Sequence, residues 1–222
     1  MAISPAGSPL RGLALCSLGE YEHALHDLDH ALALRSENPQ AYAARGHVYL
    51  EMGDIERARA DFRRSREQGS QDDTVSFLIE WIALCQECPV SEHAVRLEAL
   101  AATSHDPALA LLCRGIAAVV RKQYEQAITE LEQAGPFKPR EGAIPFWKSM
   151  AFAFLGHNEE AGAVLQQAMT AEPPLSAALL TPLRWLEQSQ PAFYKQYAAP
   201  LLASDPVRSS SEPPQENTEQ GQ

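Results

Sequence analysis

Cys85 and Cys88 form a C-x-x-C, a spacing that serves either zinc binding or thiol exchange. A structural zinc site needs two further ligands at suitable spacing. No second pair follows, and His93, His105 and Cys113 are scattered. A redox pair belongs at a helix N-terminus, where the thiol pKa falls, but this one closes an apolar run. Buried helix-end cysteines are expected. His23, His26 and His30 share one helix side, with His26 and His30 at i, i+4 and Asp27 beside them. Such a pair can chelate a transition metal, yet a solvated polar face is the plainer reading. Arg57, Arg59, Arg63, Arg64 and Arg66 alternate with Glu56, Asp61 and Glu67. That mixture predicts a face laced with ion pairs, or a dock for an acidic partner. There is no G-x-S-x-G, no H-E-x-x-H and no phosphate-cradling glycine loop. No catalytic, cofactor or metal residue is assigned, and the chain reads as a non-enzyme.

The elements that would position any of these residues come from composition and periodicity. The 222 residues are 45% hydrophobic, ample for a core, with a formal net charge of -11. That charge disfavours nucleic acid and anionic membranes, which need local positive potential. No apolar run approaches the length of a membrane span, and residues 1–20 lack the pattern of a signal peptide. Four cysteines at 16, 85, 88 and 113 make no disulfide framework. A reduced, cytoplasmic setting is expected.

In "SLGEYEHALHDLDHALAL", residues 17–34, Ala24, Leu28, Ala31 and Leu32 fall on one helix face. Two of the four are alanine where a lone amphipathic helix would place something larger. A shift of 34 residues brings this stretch onto "EMGDIERARADFRRSREQ". Gly12 then meets Gly46, Gly19 meets Gly53, Ala24 meets Ala58 and Leu28 meets Phe62. The marker alanine recurs at 24, 58, 94, 127 and 161, at intervals of 34, 36, 33 and 34.

This pattern resembles the tetratricopeptide repeat, whose unit is an antiparallel pair of helices, A and B. The match is best over Tyr42, Gly46, Tyr49, Gly53, Ala58 and Phe62, with Ser65 in place of the last alanine. The resemblance covers residues 9–173. Repeat three departs from it, with Pro89 near the inter-helix glycine position and helix B shifted by about a residue. Repeat four has Lys122 in place of that glycine. The alanines mark where stacked backbones come closest. Asn38-Pro39 and Asp106-Pro107 are helix starts.

The resemblance implies an all-α, right-handed solenoid of about five helix pairs, with helix A lining a concave groove that reads peptides. Members that grip a C-terminal carboxylate use Lys, Arg and Asn on that wall. The corresponding positions here are Pro9, Leu13 and Ala44, so a carboxylate-clamped chaperone tail is not expected. Inner positions of repeat four are Leu109, Leu112, Cys113, Ile116 and Val119. Those of repeat five are Phe146, Trp147, Met150 and Phe154. An apolar groove must be covered, either by a partner's amphipathic or apolar segment or by this chain's own 175–203 region.

The expected organisation is a flexible stretch over 1–8, the repeat array over 9–173, capping helices over 174–203 and a disordered tail over 204–222. In the tail Ser, Pro, Glu and Gln dominate. The expected function is a protein-interaction scaffold binding a partner peptide or helix through Leu112, Ile116, Val119, Phe146, Trp147, Met150 and Phe154. The alternative is a peptide-sensing or regulatory subunit of a larger assembly.

Overall fold

A computed structural model describes residues 8–86, 91–134, 141–171, 175 and 177–203, and all their regular structure is helical. Five antiparallel hairpins follow one another. Repeat one pairs α1 (Pro9–Ser17) with α2 (Tyr21–Leu34), and repeat two pairs α3 (Pro39–Glu51) with α4 (Ile55–Glu67). Repeat three is α5 (Asp73–Gln86) with α6 (Ser91–Thr103). Repeat four is α7 (Pro107–Val120) with α8 (Tyr124–Gln133), and repeat five is α9 (Ala143–Phe154) with α10 (Asn158–Met169). Adjacent A helices also meet, α1 on α3 and α7 on α9. The fold is a helical-repeat solenoid.

Local sequence sets the ends of these helices. The Asn38 side-chain carbonyl accepts from the Ala41 N–H at 3.1 Å, and Pro39 takes the first turn where no donor is needed. Asp106 caps α7 in the same way, accepting from Ala108 N–H at 2.9 Å ahead of Pro107. The A-to-B turns pass through left-handed residues: Gly19, Gly53 and Gly156 lie at φ 76°, 79° and 81°. Repeat four makes the same turn with Lys122 at φ 63°, against the steric preference of any residue with a Cβ.

The alanine question is answered by contact. Ala24, Ala58, Ala94, Ala127 and Ala161 are all fully buried. The facing glycines are as tightly held: a Cβ on Gly12 would come within 2.6 Å of Leu28, one on Gly46 within 2.8 Å of Phe62, and one on Gly115 within 2.5 Å of Leu131. In repeat five Ser149 stands at this position, and its buried hydroxyl donates to the Ala161 carbonyl at 2.8 Å. Repeat three shows the expected slip. Its buried positions run Ala94, Leu97, Ala101, where repeat one runs Ala24, Leu28, Ala31.

A second period, of charge, runs along the array. Arg11, Arg45, Glu80, Arg114 and Lys148 occupy one helix-A position. Arg11 pairs with Asp27 at 3.1 Å, Arg45 with Asp61 at 2.7 Å and Arg114 with Glu130 at 3.1 Å, each partner sixteen residues on. Repeat three inverts both signs, with Arg96 on Glu80 at 2.9 Å. Arg45 also reaches back to Asp29 of repeat one at 2.6 Å, and Lys148 reaches back to Glu132 of repeat four at 2.8 Å.

Beyond α10 the expected pair of α-helices takes another form. Ala177–Trp185 is a 3₁₀ helix containing Pro182, whose missing N–H and ring oppose an α-helical ladder. It leads into α11 (Leu186–Ser189). The last stretch runs through α12 (Pro191–Phe193), a π turn (Tyr194–Ala198) and α13 (Ala199–Ala203).

Candidate functional site

In repeats three to five the apolar helix-A residues expected to line the groove converge in one buried cluster. Leu112 and Ile116 on α7, and Phe146, Trp147 and Met150 on α9, are fully buried, while Val119 is 3% exposed. Phe154 stands apart from them, half-buried at the end of α9 and stacked on Tyr124 of α8 with ring centroids 4.9 Å apart. Further aromatic residues join the wall. Trp81 of α5 lies 5.9 Å from Phe146 and 6.0 Å from Trp147, ring centre to ring centre, so rings from repeats three and five meet directly. Phe77 extends the row, 5.4 Å from Trp81. Sequence reasoning misses Trp81 and Phe77 as members of this cluster, because the irregular spacing of repeat three hides its inner positions.

The wall is covered by the chain itself. The 3₁₀ helix packs on α5 and α11 packs on α9. Leu179, Leu183 and Leu186 are fully buried, and Leu180 is 1% exposed. Trp185 sets its ring 5.9 Å from that of Trp147, and the Thr181 hydroxyl donates to the Cys85 carbonyl at 3.1 Å across 96 residues of chain. That carbonyl is at the end of α5, where a helix leaves acceptors unpaired. The segment is held by its apolar side chains against the cluster and by a polar contact at its margin.

The fit is incomplete in one respect. The indole N–H groups of Trp81 and Trp147 are buried and find no hydrogen-bond acceptor among the described residues. A buried donor left unpaired costs about 1–3 kcal/mol, and here two of them lie within one aromatic cluster. Burial also acts on the two thiols beside the cluster. Burial pushes the Cys85 thiol up to about 12, with the Thr181 hydroxyl opposing. The Cys113 thiol rises to about 12 through burial and the nearby carboxylates of Asp73 and Glu80. Neither is a thiolate near neutrality, so neither is an activated nucleophile.

The other sequence candidates lie elsewhere. Cys88 is outside the described residues. His23 and His26 are exposed on α2, with His23 Nδ1 3.2 Å from Glu20. No group of three or more His, Cys, Asp or Glu side chains suited to a metal ion occurs among the described residues. Three arginines of α4 have partners nearby: Arg57 with Asp54 at 2.6 Å and over the Tyr49 ring, Arg59 with Gln86 of α5, and Arg64 with Glu67. An open cleft of about 790 Å³ beside this helix is lined by both signs, Arg66 and Arg96 against Asp73 and Glu80. Ala44, expected on the inner wall, instead packs with Ala24 and Leu28 of repeat one. No helix among the described residues is long and apolar enough to cross a membrane.

Comparison with known proteins agrees with the architecture. Residues 12–53 match the family model described as TPR repeat. Among solved structures, a thermophilic TPR protein of Thermus thermophilus, TTC0263, superposes with TM-score 0.54 at 20% identity, over 74% of this chain and 90% of its own. PilW, a widely conserved type IV pilus biogenesis factor, superposes with TM-score 0.54 at 18% identity, over 87% of this chain and 90% of its own. At such identities the likeness is one of fold. No curated protein matches the sequence.

Proposed function

We propose that the chain is a tetratricopeptide-repeat solenoid and a non-enzymatic protein-interaction scaffold whose apolar concave groove accepts a partner peptide or helix. The groove is the wall of Leu112, Ile116, Val119, Phe146, Trp147 and Met150, with Phe154 at its edge, and its resident occupant is the chain's own 177–189 segment. A partner enters by replacing that segment. One observation supports this reading above the others: the resident segment fills the groove's shape yet leaves the Trp81 and Trp147 indole donors without acceptors among the described residues. An incoming segment with apolar side chains and main-chain carbonyls placed over those rings has a hydrogen-bonding advantage over the occupant it displaces.

Native-state hydrogen exchange on the full chain, followed by the indole N–H signals of its three tryptophans, tests this. The expectation is that amides of 177–189 exchange through a local opening at least about tenfold faster than those of α9. A synthetic peptide of sequence 177–189, added in trans at millimolar concentration, should then move the Trp81 and Trp147 signals. Equal protection of the two regions, with no response to the peptide, makes the groove a closed core and refutes the reading. A Trp147→Glu variant does not serve, because it buries a charge and unfolds the site.

A further inference from the structure

The exposed large apolar side chains of the described residues gather at one end of the array. Leu10 is 72% exposed, Leu13 36%, Leu18 73% and Leu34 74%, and only Val95 joins them from elsewhere. The repeat register says what this surface is. One period on from Leu10, Ala14 and Leu18 stand Ala44, Val48 and Met52, and these pack with Ala24 and Leu28 of the preceding repeat. One period on from Leu34 is Gln68, whose side-chain amide donates to the Ser36 carbonyl, again of the preceding repeat. Two repeats further, Cys113 and Ala117 on α7 are buried as well, and so is Ala151 on α9. The α1–α2 surface is therefore a stacking face, built like those inside the array and facing nothing among the described residues.

The opposite end differs. There the π turn closes over α10, so near that a Cβ on Gly162 would come within 2.7 Å of the Tyr197 ring, and Phe193 and Ala198 are buried. A second copy cannot stack its open face on that sealed one, so head-to-tail growth is excluded. Open face to open face is the arrangement left, and α1 is suited to it. Leu10 and Ala14 on α1 and Leu18 at its C-cap lie at i, i+4 and i+8, one line along the helix axis, and this line reads the same in both directions about Ala14. A two-fold axis through Ala14 sets Leu10 of each copy against Leu18 of the other, with the small residue where the helices cross. That is the self-complementarity an isologous contact requires. Arg11 is the one charged residue of α1, and it is already paired with Asp27, so two copies of a chain of net charge -11 meet without like charges at the seam.

We propose that the α1–α2 face is a homodimer interface, formed by antiparallel crossing of α1 on α1 of a second copy. It does not depend on the concave groove. A nine-residue helix is only about 13 Å long, so the contact is small and the dimer reversible with concentration.

Sedimentation equilibrium of the full chain from micromolar to high micromolar concentration is the test, with Leu10→Glu and Leu18→Glu compared with wild type. Both sites are exposed, so the variants should keep their helices, which circular dichroism checks. The expected result is a monomer–dimer equilibrium that stops at two, with dissociation at least about tenfold more favourable in each variant. A third variant, Ala14→Cys, should form an intermolecular disulfide in the dimer under mild oxidation. Three outcomes overturn the proposal: a wild type that stays monomeric throughout, a dimer indifferent to both Leu→Glu changes, or species that grow beyond two. A monomer whose face is occupied by residues 1–7 or by a different protein counts among the first.

Discussion

Repeats one and two are held together by small residues and ion pairs between neighbours, whereas repeats three to five are closed by aromatic rings and by a segment returning from the far end of the chain. The first region contains no tryptophan; the second contains all three. In the first, Ala44 and Val48 pack on Ala24 and Leu28, and Arg45 bridges Asp29 and Asp61. Every one of these links lies within a repeat or reaches an adjacent one, as in any quasi-one-dimensional array. In the second, Trp81 touches Phe146 and Trp147 two repeats away, and Thr181 reaches Cys85. Part of the solenoid has become globular, and stability there should be shared rather than local.

Trp147→Ala gives the sharpest test of that difference. Emptying so large a buried site costs about 3–5 kcal/mol. Urea unfolding measures the loss, and hydrogen exchange should show protection falling throughout 177–203 while α1 and α2 keep theirs. Equal loss in repeats one and two would break the comparison. Next in size, Gly115→Ala and Gly46→Ala overpack the same register position by about 1–3 kcal/mol. Gly115 should be the costlier in thermal denaturation: its Cβ would strike Leu131 at the side chain's branch carbon, 2.5 Å away, whereas Gly46 meets a Phe62 ring edge at 2.8 Å.

The ion pairs come below these. Arg45 is 21% exposed and holds two carboxylates, and its guanidinium pKa is raised above the ordinary value, chiefly by the Asp61 hydrogen bond. Arg45→Met should cost about 1 kcal/mol in chemical denaturation. Arg11→Met, where the side chain is 37% exposed, should cost only about 0.2–0.5 kcal/mol. Raising the salt concentration should narrow the gap between them.

How much of this is legible follows from what each feature depends on. Helix boundaries, capping residues and buried alanines depend on local sequence and on a period, and both can be read directly. The slip in repeat three is visible too, in Pro89 and the 36-residue interval before Ala94. The charge ladder is in the sequence but is easily passed over beside the stronger alanine and glycine period. Its signal is Arg11, Arg45, Arg114 and Lys148 at one register position, each of the three arginines with an acid sixteen residues on. Which wall Ala44 faces cannot be read, since one residue turns a helix by about 100°. Nor can the return of 177–189 over α5 and α9 be read, because the Thr181 and Trp185 contacts join segments with no periodic relation.

Lys122→Gly completes the series with a small effect of opposite sign. Lys122 turns α7 into α8 at φ 63°, where its counterparts are glycines. A side chain in that conformation costs about 1–2 kcal/mol, and glycine removes the cost. Two terms oppose the gain. Glycine gives the unfolded chain more freedom, worth about 0.4–1 kcal/mol, and a cation is lost from a helix C-terminus, worth about 0.3–1 kcal/mol at low salt. The strain outweighs them only when the helix dipole is screened. Lys122→Gly should therefore be near neutral in thermal denaturation at low ionic strength and stabilising at high ionic strength. Lys122→Asn keeps tolerance of the left-handed region with less unfolded-state freedom, and should equal or exceed the glycine variant under both conditions. If neither gains with salt, the turn relaxes in solution and repeat four is less regular than its neighbours.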